Sequence, residues 1–185
     1  MHKGQSAGEA TNRLVLKWEL AGIGFVFLAG ALLHFVFEWS GESRAVALFA
    51  SVNESVWEHF KQGYFPMVVF AVVEAILLRG RAKNLLPAKA LAVYVLPLIT
   101  GLAFYGYTAV VGEEILLVDI LIFFVAIGIA QMVSYKMLTT RSAPRIVSAA
   151  AFVMIVALAV VLMVTTFYPP HLPIFMDGTG FYGIP

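Results

Sequence analysis

The chain has no cysteine. That excludes disulfides, thiolate metal sites and cysteine nucleophiles, and leaves the compartment open. Charge is scarce too: Lys and Arg number 12 and Asp and Glu 11, together 12% of 185 residues, for a net charge of +1. A soluble domain carries about a quarter charged residues. The near balance of sign, with no basic reading patch, argues against a nucleic-acid partner. No G-x-S-x-G, P-loop, dinucleotide fingerprint or HExxH is present, so the chemistries tied to those motifs lack support. No internal repeat is evident, which withholds support from a transporter built of inverted halves.

What is present is apolar. The chain is 61% hydrophobic with a mean hydropathy of +0.90. A helix crossing a bilayer needs about 20 apolar residues. Five segments are candidates: Trp18 to Phe37, Tyr64 to Leu78 (long enough when read as one helix from Val52, with a polar first third), Leu91 to Val111, Ile115 to Met137, and Ile146 to Phe167. Ser51 with Glu54 three residues on is a capping-box pattern for the start of the second, and Pro66 is expected to kink it. Pro144 stands at a plausible first position of the fifth helix. Arg44–Ala50 is too short to cross and is expected at the interface.

Ten basic residues fall on one side of a five-span arrangement: Lys3, Arg13, Lys17, Arg79, Arg81, Lys83, Lys89, Lys136, Arg141 and Arg145. Only Arg44 and Lys61 fall on the other. The positive-inside rule then predicts a cytoplasmic N-terminus and an outer C-terminus. The expected fold is an all-α, five-span transmembrane bundle (residues 14–167). A loose polar tail (1–13) precedes it. A Pro/Gly/aromatic tail (168–185), folded on the outer face, follows it.

This orientation brings His34, His59 and His171 to the outer side, with Glu38, Glu42, Glu54, Glu58, Glu113, Glu114 and Asp177. Ionisable groups at a membrane entry are costly, which makes them functional candidates. His34 and Glu38 share a helix face at i, i+4, as a ligand or acid/base pair or as a hydrogen bond at headgroup level. With a helix starting near Val52, Glu54, Glu58 and Lys61 share one face, as part of a site or as a surface ion-pair row. Ser55, His59 and Gln62 share another. Trp57 is a typical interface anchor, and Asn53 belongs to the helix cap. Glu74 lies deep in the second span, lining a cavity or reaching Arg79. Tyr107 and Asp119 extend the outer pocket inward, and Gln131 and Tyr135 are expected to hydrogen-bond between helices. The prolines around His171 are expected to fold the tail back so that this histidine joins the layer, or merely plugs a crevice.

Three histidines with carboxylates match the donors of a catalytic zinc site, where three protein ligands leave a position for water. On this reading His34, His59 and His171 are ligands to a divalent metal, most readily zinc. Glu38 or Glu58 is the base, and Asp177 orients a histidine. The expected activity is that of a membrane-embedded enzyme on a lipid or amphiphile, by metal-assisted hydrolysis or by metal-free isomerisation. The alternatives are a small transporter, channel or ion-binding protein, and a non-catalytic subunit of a membrane complex.

The stretches HFVFEWSG, SVNESVWEHFKQGYFP, FYGYTAVVGEEILLVDI and TFYPPHLPIFMDGTGFYGI together resemble a family of small bacterial integral-membrane proteins of unknown function. The likeness runs from about His34 to the end, with Met176-Asp177-Gly178 where an Asp-Pro turn is more usual. It implies a polytopic fold in a bacterial inner membrane, with no activity, substrate or cofactor attached. In arrangement, His34–Glu38 followed by Trp57-Glu58 and Glu74 is similar to the emopamil-binding/sterol-isomerase superfamily. The His-plus-carboxylate layer is similar to alkaline-ceramidase-like membrane hydrolases, which have seven spans and an HxxxH absent here.

Overall fold

The computed structural model describes residues 2–140 and 142–184, with side chains from residue 8 on. Five long helices alternate in direction: α1 (His2–Trp39), α3 (Val56–Leu77), α4 (Leu85–Val111), α5 (Leu116–Thr139) and α6 (Arg145–Phe167). All five are long and apolar enough to cross a membrane, so the chain is a multi-pass membrane protein. A short helix, α2 (Arg44–Ala47), and a 3₁₀ turn, Pro173–Phe175, lie at one end. That end also holds the C-termini of α1, α4 and α6 and the N-termini of α3 and α5; it is called the pocket end below.

The helices sort by what they bury. α3 is central and packs against α1, α4 and α6. Its buried face carries polar groups at both ends and Tyr64, Met67 and Phe70 between them. α6 buries only Ala151, Leu162 and Thr166, and turns Ile146, Val153, Val160 and Val164 outward. A helix apolar on its exposed face is solvated by lipid. Midway along the bundle, Val26, Tyr64, Met67, Val93, Leu96 and Ile127 form one continuous apolar layer.

Four boundaries depart from the sequence reading. α1 runs back to His2, through the stretch read as a loose tail; that stretch has no proline, and its Lys, Gln, Ala, Glu and Arg residues offset Gly4 and Gly8. α3 starts four residues late. Its N-cap is Ser55, whose hydroxyl accepts the Glu58 N–H, not Ser51. Asn53 Oδ1 takes the Ser55 N–H in a tight local turn that keeps Val52–Ser55 out of the helix. α4 begins at Leu85, with Pro87 in its first turn, so Lys89 lies in the helix and not in a loop. Pro144 precedes α6 as its N-cap residue.

The C-terminal tail folds back over the pocket end, as expected. Phe175 is buried against Trp57, ring centroids 4.6 Å apart. Asn53 Nδ2 donates to the Gly183 carbonyl at 2.8 Å. Met176 pairs with Tyr182 in a single antiparallel bridge.

Candidate metal centre

The late start of α3 decides the site. Glu54 is not on the helix but on the turn before it, and its carboxylate swings between two imidazoles. Glu54 Oε1 lies 3.4 Å from His34 Nε2 of α1, and Oε2 lies 3.4 Å from His59 Nε2 of α3. The two rings are 5.4 Å apart. One ligand atom from each of His34, Glu54 and His59 fits within a mutual distance of 4.8 Å. Ligands at roughly 2.0–2.1 Å from zinc in a tetrahedron stand about 3.3 Å from one another. Metal binding would draw the three donor atoms in from separations of up to 4.8 Å to that spacing.

The rings are held from behind. His59 Nδ1 lies 2.8 Å from the Ser55 carbonyl. A carbonyl only accepts, so Nδ1 carries the proton and Nε2 faces Glu54 as a lone pair, or as a second N–H when the ring is charged. His34 Nδ1 lies 2.9 Å from Gln62 Nε2. Gln62 also donates to Ser51 Oγ at 3.0 Å, and Ser51 donates to the Glu58 carbonyl at 3.0 Å. With Gln62 as the donor, His34 holds its proton on Nε2, the nitrogen 3.4 Å from Glu54 Oε1. Turning the Gln62 amide over would present Oε1 to Nδ1–H and free His34 Nε2 as a ligand. The hydrogen bond from His59, opposed by partial burial and helped by the charges of His34 and His59, holds the Glu54 carboxyl below its ordinary pKa. Glu54 is thus an anion at neutral pH, as a ligand must be.

Close approach of α1 to α3 makes the encounter possible. Gly30 is one turn before His34, and a Cβ there would stand 2.5 Å from the Gln62 carbonyl oxygen. Pro66, four residues after Gln62, has no N–H to offer that carbonyl. A helix backbone with no side chain packs where the proline leaves the α3 ladder open.

The trio lines a cavity of about 370 Å³ whose wall also includes Phe104, Glu114, Leu116 and Asp119. Tyr107 donates to Asp119 Oδ1 at 2.7 Å and accepts the Ile115 N–H at 3.0 Å. Asp119 thus stands in the pocket wall, and Tyr107, which the sequence reading also placed in the pocket, is bonded to it and is not among the lining residues. Leu116 is exposed on the outside of the bundle, so the cavity wall is shared with the lipid-facing surface.

Other sequence candidates lie elsewhere. Glu58 and Lys61 point away from His59 and pair with each other in the interior. Glu38 is exposed and its side chain makes no hydrogen bond or ion pair among the described residues. His171 stacks edge-on against Tyr182, centroids 4.8 Å apart, outside the trio. Asp177 orients no histidine: its Oδ1 accepts from the backbone of Thr179 and Phe181 and from the Thr179 hydroxyl. Burial raises the Asp177 pKa, but these hydrogen bonds outweigh it and hold the carboxyl below its ordinary value. Trp57 donates to Thr165 at 2.7 Å and seats the tail, and Asn53 ties the tail to the α3 turn. Glu74 pairs with Lys89, not Arg79. Gln131 has no hydrogen-bond partner among the described residues.

The sequence reading passed over Gln62 as a histidine partner and Glu54 as the central carboxylate. It missed Glu19, a buried partner of Lys89, altogether. The signal for Glu54 lay in Asn53, whose propensity for a local turn competes with helix and moves the cap to Ser55.

No curated protein and no solved structure matches the chain. The sequence profile of a family of unknown function, DUF6512, matches residues 9–184. That span covers α1 from residue 9 on, the other four long helices and the folded-back tail, and the chain belongs to this family.

Proposed function

We propose that the chain is a membrane-embedded, metal-dependent hydrolase of the bacterial cytoplasmic membrane, with the pocket end facing outward and a lipid or amphiphile as substrate. The observation that carries the reading is the convergence of His34, Glu54 and His59 on a cavity bordered by lipid-facing side chains. The trio would hold a divalent ion, zinc by donor type. A zinc ion on three protein ligands keeps a fourth position for water and lowers the pKa of that water to about 7.

The chain's own groups have separate tasks. Ser55 and Gln62 hold the two imidazoles in register. Asp119, oriented by Tyr107, is a carboxylate of the cavity wall placed to take a proton. Phe104, Leu116 and Ile122 offer an apolar wall to an acyl chain, while Glu54 and Glu114 face the polar end. The apolar layer below the cavity supports an enclosed site over a path through the bundle.

Metal content tests this reading. Purified protein loaded with Zn²⁺ and dialysed is expected to retain about one equivalent, lost in His59→Ala and in Glu54→Ala. Zinc retained equally by both variants, or not retained by the wild type, sinks the proposal.

A further inference from the structure

A second buried polar cluster lies in the opposite half of the bundle, beyond the apolar layer. Glu19 of α1, Glu74 of α3 and Lys89 of α4 are 0%, 0% and 2% exposed. Lys89 Nζ donates to Glu19 Oε1 at 2.8 Å and is ion-paired to Glu74 Oε2. Ser134 of α5 donates to the same Glu19 oxygen at 2.7 Å. The remaining oxygens, Glu19 Oε2 and Glu74 Oε1, are buried with no hydrogen-bond partner among the described residues.

Gln131 adds an independent observation. It is fully buried on α5, one turn from Ser134, and both ends of its amide are unpartnered among the described residues. Its Nε2 lies against Gly22, one turn from Glu19, and the Phe70 ring, one turn from Glu74, packs on the same glycine. A Cβ at Gly22 would overlap both. The amide therefore covers the cluster on the side of the apolar layer.

Charge does not balance here. Two carboxylates face one ammonium, and among the described residues no other charged side chain joins them. α6 carries only Arg145, at its first residue. Lys17, Arg79, Arg81, Lys83 and Lys136 are exposed at the helix ends. Val15, Leu78, Ala88 and Leu138 close the cluster off from that end. An unpaired buried charge costs several kcal/mol, and a carboxylate so placed takes up a proton instead.

We propose that the Glu19–Glu74–Lys89 cluster binds one proton, held between the two carboxylates, so that the half of the bundle away from the pocket carries a neutral intramembrane acid. The proton turns one orphaned acceptor into a donor, which another open acceptor, Glu19 Oε2, Glu74 Oε1 or Gln131 Oε1, can then receive. A metal cation fits less well. The Lys89 ammonium is already bonded to both carboxylates and repels a second positive charge, and Gln131 and Phe70 close over the site.

Infrared spectroscopy of the purified protein in lipid nanodiscs tests this. The expected wild-type spectrum at pH 7 contains the carbonyl stretch of a protonated carboxylic acid. That band disappears in Glu74→Gln and equally in Glu19→Gln, because each leaves one carboxylate against one ammonium. It grows about twofold in Lys89→Met, where both acids are left without a counter-charge. A wild-type spectrum without the band overturns the proposal and requires no variant to fold. A band that survives both glutamine variants belongs to another acid and overturns it as well. So does a band abolished by sodium chloride but not by potassium chloride, since the ligand would then be a metal cation.

Discussion

Among the described residues two lysines are buried, and their surroundings differ. Lys61, near the pocket end, donates to the carbonyls of Ala47 and Ala50 and to Thr166, each at 2.8 Å, and pairs with Glu58. Glu58 in turn accepts the Val52 N–H at 3.1 Å and the Thr166 hydroxyl at 3.0 Å. One cation meets one anion, and every atom of the pair has a partner. Lys89, in the other half, meets two carboxylates and leaves oxygens unpartnered among the described residues. The first pair is a closed structural joint that fixes α2, α3 and α6 to one another. The second is open by one charge, and an open charge in lipid is filled from the surroundings. Burial alone therefore says little about the role of an ionisable group; stoichiometry and leftover valence say more.

The largest expected effect comes from breaking the closed joint. Lys61→Met strands Glu58 and two carbonyls, and the expected loss is about 3–5 kcal/mol of stability, read from denaturant unfolding in detergent. Glu74→Gln in the open cluster should cost less than about 1 kcal/mol in the same assay, since glutamine mimics the protonated acid. Equal losses from the two variants would erase the distinction drawn here. Between these extremes lie two changes at the pocket. Gly30→Ala forces a methyl into the Gln62 carbonyl and should cost about 1–3 kcal/mol while separating His34 from His59. Gln62→Ala removes the group behind His34 and should weaken zinc binding about 10–100-fold, with the fold intact by circular dichroism. An unchanged affinity would remove Gln62 from the site.

The smallest effect concerns the tail. Asp177 has a folded pKa below the ordinary aspartate value of about 3.9, so its contribution is present above that pH and is lost as pH falls through the folded value. Protection of the Thr179 and Phe181 amides against hydrogen exchange should hold down to about pH 4 and decline below it. Asp177→Asn should flatten that dependence.

Much of this was legible in the sequence because hydropathy reports on lipid contact directly. α5 and α6 were found nearly to the residue for that reason. The polar region around α3 was harder. Ser51-x-x-Glu54 and Ser55-x-x-Glu58 are both capping patterns, and only the partners choose: Asn53 caps Ser55, and Glu58 reaches Val52. A shift of four residues kept Ser55, His59 and Gln62 together but took Glu54 off the helix face it was assigned. It also left Glu58, one of the two candidate bases, as a lysine partner. His34 and His59 were legible as a pair through topology, whereas His171 was not excluded until the tail's own ring contacts were visible. Lys89 was hidden because the apolar run of the third helix begins only at Leu91, whereas Glu19 lies inside the first apolar run and carried no signal of a partner. A helix longer than its apolar run places a residue such as Lys89 inside the bundle.

The layer of Tyr64, Met67, Leu96 and Ile127 also has an electrical meaning. Where no mobile charge crosses, a membrane potential falls largely over the apolar material itself. Carrying one elementary charge through the whole potential is worth about 2.3 kcal/mol per 100 mV. His34, Glu54 and His59 lie wholly on one side of that drop. If the trio holds the proposed ion, that ion would be exchanged with the phase the pocket opens to without crossing this layer.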